Sequence, residues 1–332
     1  MILTFEKRIF RLFLIANLIL VGCSDDGKDE LDSSSVERTV TVNTRDTIVR
    51  MPVDSYEIPV FLSIPEGCEG QALSAMVVMH GSDGMWTNNN PNSETMSGQF
   101  TQWQSILSEN CIVGAFVDSY SSRGVITRTG KWRELPDNFK ISAQFERPKD
   151  ANAALALLKN LKYGDGSPVI TSKNIGLLGF SDGASAVMAT MLDTERVFED
   201  FEWTQSQDGK TYNVSDGVLA PQDRPDIGFS GAVFYYGGSV GYNYFGKHPC
   251  GSEALDGNFF YPYAPMLFQI PSKDVLSENT LCLVDVLETK GAPVEMYYYD
   301  GVSHGFDFDG LPESETARKR TIDWFKKLWS ED

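Results

Sequence analysis

Gly179-Phe180-Ser181-Asp182-Gly183 constrains this chain more than any other stretch. An apolar run, Asn174-Ile-Gly-Leu-Leu-Gly-Phe180, leads into it, and a helix-like run, Ala184-Ser-Ala-Val-Met-Ala-Thr-Met191, leads out. Strand, G-x-S-x-G and helix in that order describe a nucleophile elbow. The turn is so sharp that small residues must flank the serine, whose hydroxyl is then held out above a sheet. A serine so placed implies nucleophilic chemistry, provided the chain also supplies a base, an acid and an oxyanion hole.

The rest of the chain fits such a sheet. Ala75–Met79, Ile112–Val117 and Phe229–Tyr236 are short apolar runs expected as buried strands, and Met266–Ile270 and Val294–Tyr299 are expected as further strands. Helical spacing is expected over Phe100–Ser108, Arg147–Leu161, Ser277–Lys290 and Glu313–Trp329. Val40–Val49 and Tyr56–Ile64 read as an opening antiparallel pair. Strands alternating with helices give an α/β domain over residues 37–332, with a mostly parallel central sheet flanked by helices. A polar stretch with Trp203, at about 195–228, breaks the rhythm and reads as a small insertion over the sheet top.

Only three histidines are present, so the base is quickly narrowed down. His304 lies just beyond the strand Val294–Tyr299, at the edge where open α/β sheets bind ligands. His248 has no strand behind it, and His80 ends a strand well before the elbow. Asp274 follows the strand Met266–Ile270 and is the expected partner of the imidazole; Asp285 and Asp300 are poorer placed. Ser181, Asp274 and His304 then occur in the chain order of an α/β-hydrolase. The oxyanion donors are expected to be the backbone amides of Asp182 and Ser82, the latter in His80-Gly81-Ser82-Asp83-Gly84, with their side chains mattering little.

These residues resemble the dienelactone-hydrolase-like branch of the α/β-hydrolases over about 75–325. The resemblance rests on Val78-Met-His-Gly-Ser82, Asp118-Ser-Tyr-Ser-Ser-Arg-Gly124, Arg147-Pro-Lys-Asp-Ala151, the elbow, Lys273-Asp274, Cys282 and Tyr299-Asp-Gly-Val-Ser-His-Gly-Phe-Asp307. The enzyme that names the family carries cysteine at the elbow, where this chain has Ser181. The resemblance therefore implies a general carboxylester hydrolase working through an acyl-enzyme. A peptidase or amidase of the same fold, and a non-catalytic binding lipoprotein, are the rival readings. Trp86, Phe180, Tyr235 and Tyr236 are candidate walls of the substrate pocket. Arg123 is either a clamp for a substrate carboxylate or a structural partner of Asp118. Metal-ligand spacing and nucleotide-binding motifs are missing, so neither a metal nor a cofactor is expected.

The first residues read as an export signal. Lys7, Arg8 and Arg11 precede the short apolar run Leu12–Leu20, too short to span a bilayer. Leu20-Val21-Gly22-Cys23 resembles a bacterial lipobox, which implies cleavage after residue 22 and a lipid anchor on Cys23. Residues 23–36 are polar and acidic and read as a flexible tether, similar to the export signal of surface lipoproteins. The expected location is the outer membrane of the cell envelope, on its periplasmic or surface side. Outside the cytoplasm, the four other cysteines are expected to pair. Cys68 and Cys111 both precede strands, and Cys250 and Cys282 both follow them, so the expected bridges are Cys68–Cys111 and Cys250–Cys282. A formal charge of −18 disfavours nucleic acid as a partner and a polyanion as substrate. The expected substrate is a small-molecule ester or, on the expected envelope location alone, a glycan ester.

Overall fold

The apolar runs become the inner strands of one eight-stranded sheet in the computed structural model. The structure describes residues 40–41, 46–68, 72–129, 137–207, 209–238 and 243–331. The signal peptide, Cys23 and the acidic tether lie outside the described residues.

The sheet opens with a hairpin of β1 (Asp46–Val53) and β2 (Tyr56–Ser63). Asp54, at φ 50°, makes its tight turn and fixes the register from Val53 opposite Tyr56 to Asp46 opposite Ser63. The strand therefore starts later than expected. Val40–Thr41 pairs instead with Leu161–Lys162, outside the main sheet. Six strands follow: β3 (Leu73–Met79), β4 (Ile112–Val117), β5 (Ile170–Phe180), β6 (Gly231–Tyr235), β7 (Met266–Lys273) and β8 (Val294–Ser303). The order across the sheet is β8-β7-β6-β5-β3-β4-β2-β1, parallel throughout except where β2 pairs antiparallel with β1 and β4.

Side-chain alternation along the inner strands divides the core in two. Ala75, Val77, Met79, Leu177 and Phe234 face α2 (Arg147–Lys159), α3 (Asp182–Thr190) and α4 (Ser277–Thr289). Met76, Val78, Leu178 and Val233 face α1 (Gly98–Glu109) and α5 (Pro312–Ser330). Each such fully buried Leu or Val contributes roughly 1.5–3 kcal/mol, which is why runs apolar at every position become central strands.

This topology positions the site. From β3 the chain turns to β4 on one side, and later to β5 on the other. The loops after β3 and β5 therefore part, leaving a crevice at the carboxyl ends of the strands. In the insertion, Gln205–Gln207 and Lys210–Tyr212 form a small antiparallel pair of their own. Trp203 anchors it, with its ring 4.7 Å from Tyr244 and 5.6 Å from Phe259. Both expected disulfides are formed, with Cα separations of 5.8 Å for Cys68–Cys111 and 5.0 Å for Cys250–Cys282. Cys282, however, lies within α4 rather than at a strand end.

Candidate active site

Ser181 joins β5 to α3 with φ 53° and ψ −117°, a conformation costly for any residue with a side chain. Its amide donates to the Tyr235 carbonyl at 3.0 Å, and its own carbonyl accepts from Ala184 and Ser185. The flanking glycines are required by contact. A Cβ on Gly179 would come within 2.4 Å of the Gly183 carbonyl oxygen, and one on Gly183 within 2.2 Å of the Met79 carbonyl oxygen. Helix α3 thus starts against the end of β3, as the motif requires.

His304 follows β8 directly, and Asp274 follows β7. The two loops bring both residues to Ser181. His304 Nδ1 lies 2.6 Å from Asp274 Oδ2, and His304 Nε2 lies 2.9 Å from Ser181 Oγ. Nδ1 faces a carboxylate, so it carries the proton, and the Nε2 lone pair is left facing the serine hydroxyl. Burial opposes ionisation of Asp274, but the bonds from His304 and the Leu276 amide outweigh it and hold the carboxyl below its usual range. The Tyr236 ring packs 4.8 Å from the His304 ring, so this residue backs the imidazole instead of walling the pocket. Asp300 and His248 are occupied elsewhere: Asp300 accepts from Ser272, and His248 Nδ1 accepts from the Cys250 amide.

Asp182 corrects the expectation that the side chain after the serine matters little. Its carboxylate is buried and accepts from Tyr120 Oη at 2.8 Å, Arg128 at 2.8 Å and Arg147 at 2.6 Å. Burial disfavours its charge, but the two guanidinium groups prevail and keep it ionised below its usual range. Each arginine also reaches the loop after β3. Arg147 donates to the His80 carbonyl at 2.5 Å, and the Arg128 amide donates to the Ser82 carbonyl at 2.8 Å. Both thereby tie the elbow to the loop holding Ser82. His80 completes this core, with Nδ1 donating to the Gly81 carbonyl and Nε2 accepting from the Ser119 amide. Burial, and next the Arg147 charge, push its pKa down to about 4, so it is neutral near pH 7.

Ser181, His304, Asp274, Ser82 and Asp182 share one cavity of about 710 Å³. The expected pocket residues do not. Phe180 and Tyr235 are 1% and 0% exposed and belong to the core beneath the sheet end. Trp86 is also buried and donates to Asp118 at 2.6 Å. Arg123 is neither a substrate clamp nor the partner of Asp118. It forms a buried bidentate pair with Asp150 at 2.7 and 2.8 Å. The actual lining comes from the insertion, the Asn243–Tyr244 segment, the start of α4 and Arg128–Thr129. A polar insertion next to a crevice was the available signal for it. For Asp182 the signal was a charged residue at a buried strand-to-helix junction, which demands a cation. Among the described residues no group of three or more His, Cys, Asp or Glu side chains is placed to hold a metal ion.

No protein-family model and no curated protein sequence matches the chain. Solved structures do. A dienelactone hydrolase-like promiscuous phosphotriesterase from metagenomic libraries is 13% identical, covering 85% of this chain and 98% of that one, with a TM-score of 0.54. A thermophilic esterase from the planctomycete Thermogutta terrifontis is 14% identical, covering 85% and 91%, with a TM-score of 0.52. An esterase of the fungus Rhizomucor miehei is 15% identical, covering 86% and 83%, with a TM-score of 0.52. The chain shares the α/β-hydrolase fold of these dienelactone-hydrolase-like and esterase structures.

Proposed function

We propose that this chain is a serine hydrolase that cleaves carboxylic esters through an acyl-enzyme. The observation that carries the proposal is the unbroken chain Ser181 Oγ, His304 Nε2, His304 Nδ1 and Asp274 Oδ2, with links of 2.9 and 2.6 Å. His304 takes the proton of Ser181 as Oγ attacks the ester carbonyl, and Asp274 stabilises the imidazolium that results. The developing oxyanion is assigned to the amides of Ser82 and Asp182; the Asp182 amide opens α3 and has no partner within the helix. His304 then passes its proton to the leaving alcohol. Water enters, gives its proton to His304 and attacks the acyl carbon, and the proton returns to Ser181 as the acid departs. The fold shared with esterases supports this reading at the level of ester chemistry. Ser181→Ala should abolish turnover of p-nitrophenyl acetate; turnover at the wild-type rate in that variant contradicts the proposal. Aminoacyl anilides assayed beside the esters separate an amidase from an esterase.

We further propose that Cys23 carries a lipid anchor and that the mature protein resides in the cell envelope. The basic, apolar and small-residue pattern ending at Cys23 supports this. Incorporation of labelled palmitate into wild-type protein but not Cys23→Ala is the expected result. Equal labelling of both would contradict it.

A further inference from the structure

We infer that Tyr236 and Asp307 are positioning residues that hold the His304 imidazole on Ser181. The inference rests on the ester-hydrolase reading above and adds a buried set of groups behind the same site. His304 is bonded once at each ring nitrogen, to Asp274 and to Ser181. Those two bonds fix the ring along one axis, about which it can still rock. The Tyr236 ring supplies the missing restraint, packed 4.8 Å from the imidazole at an interplanar angle of 60°.

Tyr236 is in turn fixed at both ends. Its backbone leaves β6 at φ 39°, a costly conformation that persists only where the surroundings enforce it. Its amide donates to the Gln269 carbonyl at 3.2 Å, and the Tyr235 carbonyl just before it accepts the Ser181 amide at 3.0 Å. One strand end therefore places both the nucleophile and the ring behind the base. At the far end, the Tyr236 phenol donates to Asp307, three residues past His304. Asp307 is completely buried, and its carboxylate also accepts from Trp103 Nε1 at 2.9 Å and Gln99 Nε2 at 3.0 Å, both on α1. Gln99 Nε2 lies 2.9 Å from the phenol oxygen as well. These donors are neutral, and Arg318 reaches the Asp307 backbone carbonyl instead. A buried carboxylate is a costly way to fill space, and burial pushes its pKa up. What it provides is a fixed acceptor for Tyr236, carried on the same loop as His304. The strand end, α1 and the His304 loop are thus locked together behind the imidazole.

The test compares Tyr236→Phe, which keeps the ring and loses the bond to Asp307, with Thr321→Val. The latter removes a hydroxyl from the adjoining buried network of Tyr235 and Gln269, which does not touch His304. For p-nitrophenyl acetate, Tyr236→Phe should lower kcat about tenfold with KM nearly constant. Fluorophosphonate labelling of Ser181 should slow in proportion. Thr321→Val should lower the melting temperature and leave kcat unchanged. Gln99→Met, which takes a donor from both Tyr236 and Asp307, serves if Tyr236→Phe does not fold, with the same result expected. Wild-type kcat and labelling in the folded variant, or an equal loss in Thr321→Val, overturns the inference and leaves the esterase intact. If the wild type turns over no ester, the esterase reading fails, and proton NMR of the His304 Nδ1–H decides the positioning role alone. A signal sharp in the wild type and broadened in Tyr236→Phe supports it, and a signal the same in both overturns it.

Discussion

His304 leaves 40% of its side chain exposed, whereas the Arg147 guanidinium tied to the same elbow is closed off completely. The triad is a chain of single hydrogen bonds between loops at three strand ends. The cluster of Asp182, Arg128, Arg147, Tyr120 and His80 is a buried, cross-linked charge network. The difference follows from what each must do. In the proposed mechanism the imidazole meets substrate and exchanges protons, which requires it to reach the cavity. The loop after β3 and the start of α3 must stay at a fixed separation if their amides are to share one oxyanion, and buried charge-assisted bonds hold geometry best. The two regions should therefore respond differently to damage.

The largest effect is expected from Asp274→Asn, which leaves a hydrogen-bonding group of the same shape but removes the charge that orients and stabilises the imidazolium. The kcat for p-nitrophenyl acetate should fall by about 10⁴ with the melting temperature little changed. A loss below tenfold would remove Asp274 from the mechanism. Arg147→Met tests the other region and should do two things at once. It leaves the Asp182 carboxylate and the His80 carbonyl short of a partner, costing about 3–5 kcal/mol of stability. It also loosens the loop holding Ser82, the proposed oxyanion donor, and should lower kcat roughly a hundredfold with KM nearly constant. Partial rescue of kcat by Arg147→Lys would separate positioning from folding; a stability loss with kcat intact would make the cluster structural only.

These contrasts also explain what the sequence made legible. Strand-to-helix periodicity, a glycine-flanked serine and scarce histidines carry information locally, so the sheet, the helices and the grouping of Ser181, His304 and Asp274 could be read directly. Burial of a specific side chain is a tertiary property. Phe180 and Tyr235 flank strand ends as pocket residues do, yet face inward because the alternation of β5 and β6 places them over α1 and α5. Arg123 lies near Asp118 in sequence, but Asp150 on the inner face of α2 offers both carboxylate oxygens to it. Arg128 lies in a loop with no periodic pattern, and nothing in its neighbours announces Asp182.

A smaller effect is expected from acid. His80 titrates at about 4 in the folded protein against 6.5 ordinarily. Protons therefore bind the unfolded chain preferentially. The stability this gives is full above about pH 6.5 and is lost as pH falls through 4, a change of order 3 kcal/mol. Urea melts between pH 7 and 4 should show that loss, and His80→Gln should flatten it; an unchanged slope in the variant would assign the acid sensitivity elsewhere. The smallest effect should come from an exposed ion pair of similar chemistry. Arg224 and Glu195 lie 2.6 Å apart, but Glu195 is 70% exposed. Glu195→Gln should alter stability by less than about 1 kcal/mol. A larger loss would show that burial is not what separates the two kinds of charge.

The central claim is that Ser181 is a nucleophile made reactive by its neighbours, and a fluorophosphonate probe reads this directly. Labelling followed by peptide mapping should place the adduct on Ser181 in the wild-type protein. Labelling should vanish in Ser181→Ala and slow by orders of magnitude in His304→Ala. An adduct on another residue, or labelling of Ser181 at the wild-type rate in His304→Ala, would contradict the account.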